Sequence, residues 1–335
     1  MSRRPRNLAN AVAGIAALLG AGACAPVVIP AGPATEIPRL GEDHLRVRDG
    51  AELPLTAWRP AGPARASVIA LHSFGDFRLA FDQLGPWFAA RGIAIYAFDQ
   101  RGFGEGPHPS LWAGADAMIE DLVDAIAAVR AAQAARTPLY LLGESMGGAV
   151  IIAALARRGG IAIDGIVLAA PAVRENMPLR EFGEGMVDLA ARIFPANRAT
   201  INVNRDPRLS ASAAERLSRD PRVIREVRID AYAGLIDLSS QASAAAAAVT
   251  VSSLVLLGSG DRVVPLVSAC AAYARFAAPK AGLYYKDAPH RLLQARDSAA
   301  VFADILAWIE RSPLPSLGQG HALPFAAACA EPGPG

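Results

Sequence analysis

Short apolar runs alternating with helical segments constrain this chain more than any other feature. Ser67–Leu71, Ile93–Phe98, Leu139–Leu142 and Ile166–Ala169 read as buried strands. Between them, Pro86–Arg91 closes one helix, residues 114–135 place Ala117, Leu122, Ile126 and Val129 at helical spacing, and Met146–Ala156 forms another helix. Continuous apolar strands joined by helices imply a parallel sheet covered on both faces. The alternation lapses between about Pro171 and Thr250, where Phe182–Phe194, Ala211–Leu217 and Val223–Ile236 are helical in character and no strand stands out. It resumes with Ser253–Leu257, Pro265–Phe276, Leu283–Tyr285 and Val301–Ile309. The expected fold class is α/β, a mostly parallel doubly wound sheet with an inserted helical cap. Residues 44–59 add a hairpin turning at Asp49-Gly50.

The expected organisation is a signal segment over 1–23, a Pro-rich linker over 24–40, and core over 41–171 and 251–312. The cap spans 172–250, and a tail without periodicity, expected to be disordered, spans 313–335. Arg3, Arg4 and Arg6 precede an uncharged Ala- and Leu-rich run that ends Ala21-Gly22-Ala23-Cys24, the form of an export signal. Cys24 resembles the lipidated cysteine of a bacterial lipobox; cleavage after Ala23 and retention as an anchor helix stay open beside it. Export to the periplasm or cell envelope follows, with membrane association through a lipid on Cys24 in the first case. Cys24, Cys270 and Cys329 form neither a disulfide framework nor a metal knuckle. Cys270 is expected in a helix core and Cys329 in the loose tail, with pairing between them open in an oxidising compartment.

Hydrophobic residues make up 53% of the 335 and charged residues 19%, enough for a sizeable core. A net charge of +2 without basic clusters interleaved with aromatics excludes nucleic acid as a natural partner.

The chemistry centres on Gly143-Glu144-Ser145-Met146-Gly147, where a strand turns sharply into a helix. A serine on such a turn exposes its hydroxyl above the sheet, and Gly143 and Gly147 are needed because strand and helix pass too close for a Cβ. A serine hydroxyl needs a base to become a nucleophile. His290, in Asp287-Ala288-Pro289-His290 after the strand Leu283–Tyr285, lies at the carboxyl edge where ligands of open parallel sheets collect. Asp261, after the strand Leu254–Leu257, is placed to orient that histidine, although it also suits an N-cap for the helix near Pro265. Ser145, Asp261 and His290 follow separate strands in the order that α/β-hydrolases use. The backbone N–H of Met146, at a helix start, and that of Phe74, in the loop His72-Ser73-Phe74-Gly75, are the expected oxyanion donors. His72 is expected to brace that loop rather than act as base. No carboxylate pair suits a glycosidase, no histidine–cysteine–carboxylate cluster has ligand spacing, and no glycine-rich loop precedes a helix with lysine. No metal or cofactor is expected, and Ser145 in place of aspartate excludes dehalogenase and epoxide-hydrolase chemistry.

Leu71–Asp76, Phe98–Glu105, Gly143–Gly148, Gly258–Asp261 and the His290 loop together make the chain resemble the monoacylglycerol lipase and lysophospholipase group of α/β-hydrolases, the serine aminopeptidase S33 family. The resemblance spans most of residues 66–310, and residues 220–226 are similar to the cap of bacterial members. It implies that Asp99 and Arg101 support the site structurally and that Glu144 enters the helix–sheet packing or a polar network. Two positions depart from the pattern. Ser73 stands where the family usually has Gly, touching the oxyanion loop, and Gly106 stands where Ser often follows, in a turn expected at the surface.

Phe182, Met186, Leu189, Ala190 and Ile193 form one helical face, expected to pack on the core with part of it lining an acyl tunnel. The function expected is a serine ester hydrolase of monoacyl lipids, monoacylglycerol or lysophospholipid. The alternatives are an amidase or aminopeptidase of the same fold, which would use Glu175, Glu181 or Glu184 to bind an amine, and a non-catalytic surface-anchored binding protein.

Overall fold

The computed structural model describes residues 26–175, 178–201 and 206–330, without the side chains of 178–184. The signal segment and Cys24 lie outside the described residues.

In chain order, β1 (Arg39–Leu40), β2 (His44–Arg46) and β3 (Glu52–Trp58) form an antiparallel meander. Then follow β4 (Ala66–Leu71), α1 (Leu84–Ala89), β5 (Ile93–Phe98), α2 (Gly114–Ala132), β6 (Leu139–Glu144), α3 (Met146–Arg157) and β7 (Gly165–Ala169). The insertion carries α4 (Pro178–Ile193), β8 (Arg198–Thr200), α5 (Ala211–Arg219), β9 (Glu226–Arg228) and α6 (Ile229–Ala244). The chain returns through β10 (Ser253–Gly258), α7 (Leu266–Arg275), β11 (Lys280–Tyr285), α8 (Ser298–Ile309), α9 (Pro315–Gly318), β12 (Ala322–Pro324) and α10 (Phe325–Ala330). Among the described residues one sheet has ten strands in the order β1-β2-β3-β5-β4-β6-β7-β10-β11-β12. The run from β5 to β11 is parallel. Every residue of β4, β5, β6, β7 and β10 is buried, as a sheet covered on both faces requires. The chain reverses strand order at β4, so the loops after β4 and β6 open side by side at the carboxyl edge.

Four expectations are corrected. The tail is ordered over its described residues, 313–330. β12 pairs antiparallel with β11, and Phe325 is fully buried against the bare backbone of Gly282, where a Cβ would stand 2.6 Å from the Phe325 Cβ. Cys329 bonds to Cys270 of α7 as a disulfide closing 59 residues, and Asp304 of α8 receives the Ser316 N–H. These partners are distant in sequence, so no local periodicity announces the order. The Pro-rich linker, from residue 26, lies on the domain. Ile29 N–H donates to the Trp112 carbonyl, Val27 N–H to Asp230, and Gly32 N–H to Asp49.

The insertion is not purely helical, because β8 and β9 pair as an antiparallel ribbon. The segment expected to be helical from Val223 is extended at Glu226–Arg228 and turns helical only at Ile229. Finally, the α4 face turns outward: Met186, Leu189 and Ile193 are each about half exposed, while the side chain of Phe182 lies outside the described residues.

Candidate active site

Ser145 sits between β6 and α3 with φ 52° and ψ −111°, a left-handed conformation that costs a side-chain-bearing residue about 1–3 kcal/mol. The surroundings hold it there. Its N–H donates to the Ala169 carbonyl at 2.9 Å, and its own carbonyl accepts from Ala149 and Ala172. The flanking glycines are steric necessities, since a Cβ on Gly147 would lie 2.2 Å from the Leu71 carbonyl oxygen and one on Gly143 would lie 2.4 Å from the Gly148 nitrogen. Gly258 plays the same part between the two later loops, its Cβ position 2.1 Å from the Ala288 carbonyl oxygen.

Three strand ends converge on the serine. His290 Nε2 lies 3.0 Å from Ser145 Oγ, and His290 Nδ1 lies 2.8 Å from Asp261 Oδ2. The other oxygen of Asp261 accepts the N–H groups of Val263 and Val264 at 2.7 and 3.0 Å. One carboxylate thus both shapes the turn before α7 and faces the imidazole, so its capping and orienting geometries coexist. The Asp261 side chain is almost fully buried and that of His290 is mostly so. A carboxylate there fixes the proton on Nδ1 and leaves Nε2 free to accept from the serine.

The N–H groups of Phe74 and Met146 have no hydrogen-bond partner among the described residues, and both residues adjoin the serine. His72 is fully buried. Its Nδ1 contacts the Ser73 carbonyl at 2.9 Å while its Nε2 accepts the Gln100 N–H at 3.1 Å, which makes it a neutral imidazole protonated on Nδ1. Burial pushes its pKa down, in keeping with that state. Asp99 accepts from the backbone and guanidinium of Arg78 and from the Glu105 N–H. Arg101 forks onto both oxygens of Asp121 and reaches Asp49, tying its loop to α2 and to the first hairpin. Gly106, expected at the surface, is buried with the carbonyl oxygens of Gln100 and Phe103 each 3.0 Å from its Cβ position.

A buried polar cluster beside the serine was not apparent in the sequence. Asp76 receives Arg216 from α5, together with Arg291 and Gln294 from the turn after His290. Burial works against the Asp76 carboxylate, but the Arg216 and Arg291 cations outweigh it and hold its pKa below the usual range. Gln294 also donates to Glu144 at 2.7 Å. Asp76 lies inside a motif legible in the sequence; Gln294 and Arg216 belong to none.

A cavity of about 330 Å³ opens over Ser145 and His290. Among the described residues its apolar wall comes from Phe74, Ile201, Leu209, Tyr232, Leu235 and Val263, without Met186, Leu189, Ala190 or Ile193 of α4. Among the described lining residues the acid is Asp206, which Arg208 neutralises at 2.6 Å. Among the described residues no group of three or more His, Cys, Asp or Glu is placed to hold a metal ion.

The family model described as serine aminopeptidase, S33 matches residues 62–297. A monoacylglycerol lipase of Mycolicibacterium smegmatis is 24% identical over 278 residues, covering 78% of this chain and 93% of the relative. The human monoglyceride lipase is 26% identical over 236 residues, covering 68% of this chain and 75% of the relative. Among solved structures, a soluble variant of the Saccharomyces cerevisiae monoglyceride lipase in complex with a substrate analogue superposes with a TM-score of 0.69 at 18% identity, covering 85% and 99% of the two chains. The Paleococcus ferrophilus monoacylglycerol lipase gives 0.62 at 22% identity, covering 77% and 98%. With a serine at the elbow of a mostly parallel sheet and a family model matched across both halves of the core, the chain belongs to the serine aminopeptidase S33 family and is a serine hydrolase of the α/β-hydrolase fold.

Proposed function

We infer that the protein hydrolyses carboxylic esters of monoacyl lipids, of the monoacylglycerol or lysophospholipid type. The observation that carries this reading is the unbroken chain Ser145–His290–Asp261 on the floor of a cavity with an apolar wall. Its volume, about 330 Å³, is at the small end for ligand pockets and suits a single chain. Relatives named as monoacylglycerol lipases support the same substrate class.

The same geometry supports the following steps. His290 Nε2 takes the Ser145 proton as Oγ attacks the ester carbonyl, and Asp261 stabilises the imidazolium that forms. The tetrahedral oxyanion is held by the N–H groups of Met146 and Phe74, the first aided by the α3 dipole. As the carbonyl re-forms, the alcohol leaves with the proton from His290, and the acyl group stays on Ser145. Water deprotonated by His290 then attacks the acyl-enzyme, and the fatty acid departs with Ser145 restored.

An aminopeptidase needs a carboxylate free to bind the substrate amine. Glu175 is paired with Arg275, Asp206 is paired with Arg208, and the side chains of Glu181 and Glu184 lie outside the described residues. The described acids therefore favour the ester.

The Arg-led apolar leader and the Cys270–Cys329 disulfide together support export to an oxidising compartment, with lipidation of Cys24 as the form of attachment. Mass analysis of the mature amino terminus tests that part. For the chemistry, purified protein and Ser145→Ala are compared on p-nitrophenyl esters, monoacylglycerols, lysophospholipids and aminoacyl amides. Undiminished ester turnover by Ser145→Ala would sink the mechanism, and preference for the amides would replace the substrate class.

A further inference from the structure

Ser73 occupies the position where the family pattern has Gly, and its hydroxyl has a definite use. Ser73 Oγ donates to Glu144 Oε2 at 2.9 Å, and the same oxygen accepts from Gln294 Nε2 at 2.7 Å. Glu144 directly precedes the nucleophile, and Gln294 lies four residues beyond His290. One fully buried carboxyl therefore links the oxyanion loop, the elbow and the histidine loop. Glu144 Oε1 is buried without a hydrogen-bond partner, so the side chain's polar contacts are made through Oε2. Burial raises its pKa, against the Arg291 cation, in keeping with a carboxyl that serves as a hydrogen-bonding post rather than as an ion-pair partner.

The Ser73–Phe74 peptide is what this arrangement controls. Its carbonyl receives His72 Nδ1 at 2.9 Å and the Asp76 N–H at 3.1 Å. A trans peptide points its N–H opposite to its C=O, so holding the Ser73 carbonyl sets the direction of the Phe74 N–H. The hydroxyl bond to Glu144 anchors the same residue through its side chain, so Ser73 cannot rotate without breaking one buried hydrogen bond or the other.

We propose that Ser73 and Glu144 form a positioning pair that aims the Phe74 N–H at the oxyanion. The proposal rests on the serine-hydrolase mechanism above and adds to it the residues that set the geometry of the oxyanion site. Neither residue touches substrate through the contact at issue; both act through the Phe74 peptide. Removing an oxyanion donor outright lowers turnover by about 10²–10³-fold, so loosening one is expected to cost about 10-fold.

The test measures kcat and KM on a soluble p-nitrophenyl ester, together with Ki for a trifluoromethyl ketone, whose adduct with Ser145 carries the oxyanion. Ser73→Ala is expected to lower kcat about 10-fold with KM within about twofold, and to raise Ki by the same factor as kcat/KM falls. Glu144→Ala should lose at least as much, and Glu144→Gln, whose amide oxygen still accepts from Ser73, should recover most of the loss. Wild-type kcat and Ki in Ser73→Ala would overturn the pair, as would a kcat loss with Ki unmoved. Should Glu144→Ala fail to fold, Ser73→Ala alone decides, because it only trims a hydroxyl. Ser145→Ala, assayed alongside, keeps the two readings apart: its activity judges the mechanism, whereas the Ser73 variants judge the pair in an enzyme already shown to need Ser145.

Discussion

The two walls of the cavity are held by different means. On the core side, Ser145, Phe74 and His290 hang from the ends of β6, β4 and β11, and all of β4 and β6 is buried. On the cap side, Ile201, Leu209, Tyr232 and Leu235 hang from an insertion that packs Val227, Ala231, Leu238 and Ala242 into the core and is tied to it by further polar contacts. These include Arg216 on Asp76, Arg222 on Glu105, Arg208 on the Gly260 carbonyl, and Ile224 N–H on the Gly75 carbonyl. Reacting atoms need placement to a fraction of an ångström, which a close-packed sheet edge supplies. An acyl group needs only an apolar surface of suitable size. The lining residues of an insertion that lies outside the strand ends can vary to suit different acyl groups without moving the reacting atoms.

Four substitutions would break or sharpen this contrast. The largest effect is expected from Asp261→Asn on the core wall. An asparagine oxygen still accepts from Val263 and Val264, so the thermal midpoint should barely move. The amide, however, cannot hold the His290 proton on Nδ1, and kcat should fall about 10³–10⁴-fold. A large loss of stability in that variant would show that the carboxylate is chiefly a cap for its turn.

Next comes the join between the walls. Asp76→Ala leaves the buried Arg216 and Arg291 without their carboxylate and should cost about 3–5 kcal/mol in a urea titration. The folded pKa of Asp76 lies below its ordinary 3.8, so its contribution is complete above about pH 4 and is lost as pH falls through the lower folded value. Stability should therefore decline less steeply on acidification in Asp76→Ala than in the wild type.

A smaller effect is expected at the far edge of the sheet. Cys329→Ser opens a disulfide spanning 59 residues and should lower stability by about 2–4 kcal/mol, with turnover of the surviving folded protein nearly unchanged. A dithiothreitol titration of the wild type should reproduce the loss. If turnover fell in step with stability, the carboxyl-terminal clamp would have to be counted with the core wall. The smallest effect belongs to the cap surface: Leu189→Ser, at a side chain 49% exposed, should change stability by less than about 0.5 kcal/mol.

How much of this was legible in advance follows the range of the interactions. The strands Ile93–Phe98, Leu139–Glu144 and Ser253–Gly258 announce themselves because a strand buried on both faces must be apolar along its whole length. The pairing of Ser145 with His290 and Asp261 was legible because parallel topology sends the loops after β6, β10 and β11 to one edge. The ribbon β8–β9 was missed because each strand has only three residues, too few for an alternation to register. The α4 face misled for a different reason: helical spacing shows that one side is apolar and is silent about what, if anything, covers it.

The sequence by itself determined the sheet, the elbow and the strand ends that carry Ser145, Asp261 and His290, because strand burial and backbone geometry are set within a few residues and parallel order sends those ends to one edge. Tertiary structure alone decided what lines the cavity, what orders the chain after residue 312, and what surrounds Glu144. A carboxyl beside a nucleophile could have faced solvent, a cation or the packing of a helix. It meets Ser73 and Gln294, residues 71 and 150 positions away. Only the folded sheet brings them together, because a hydrogen bond carries no signature in the sequence between its ends.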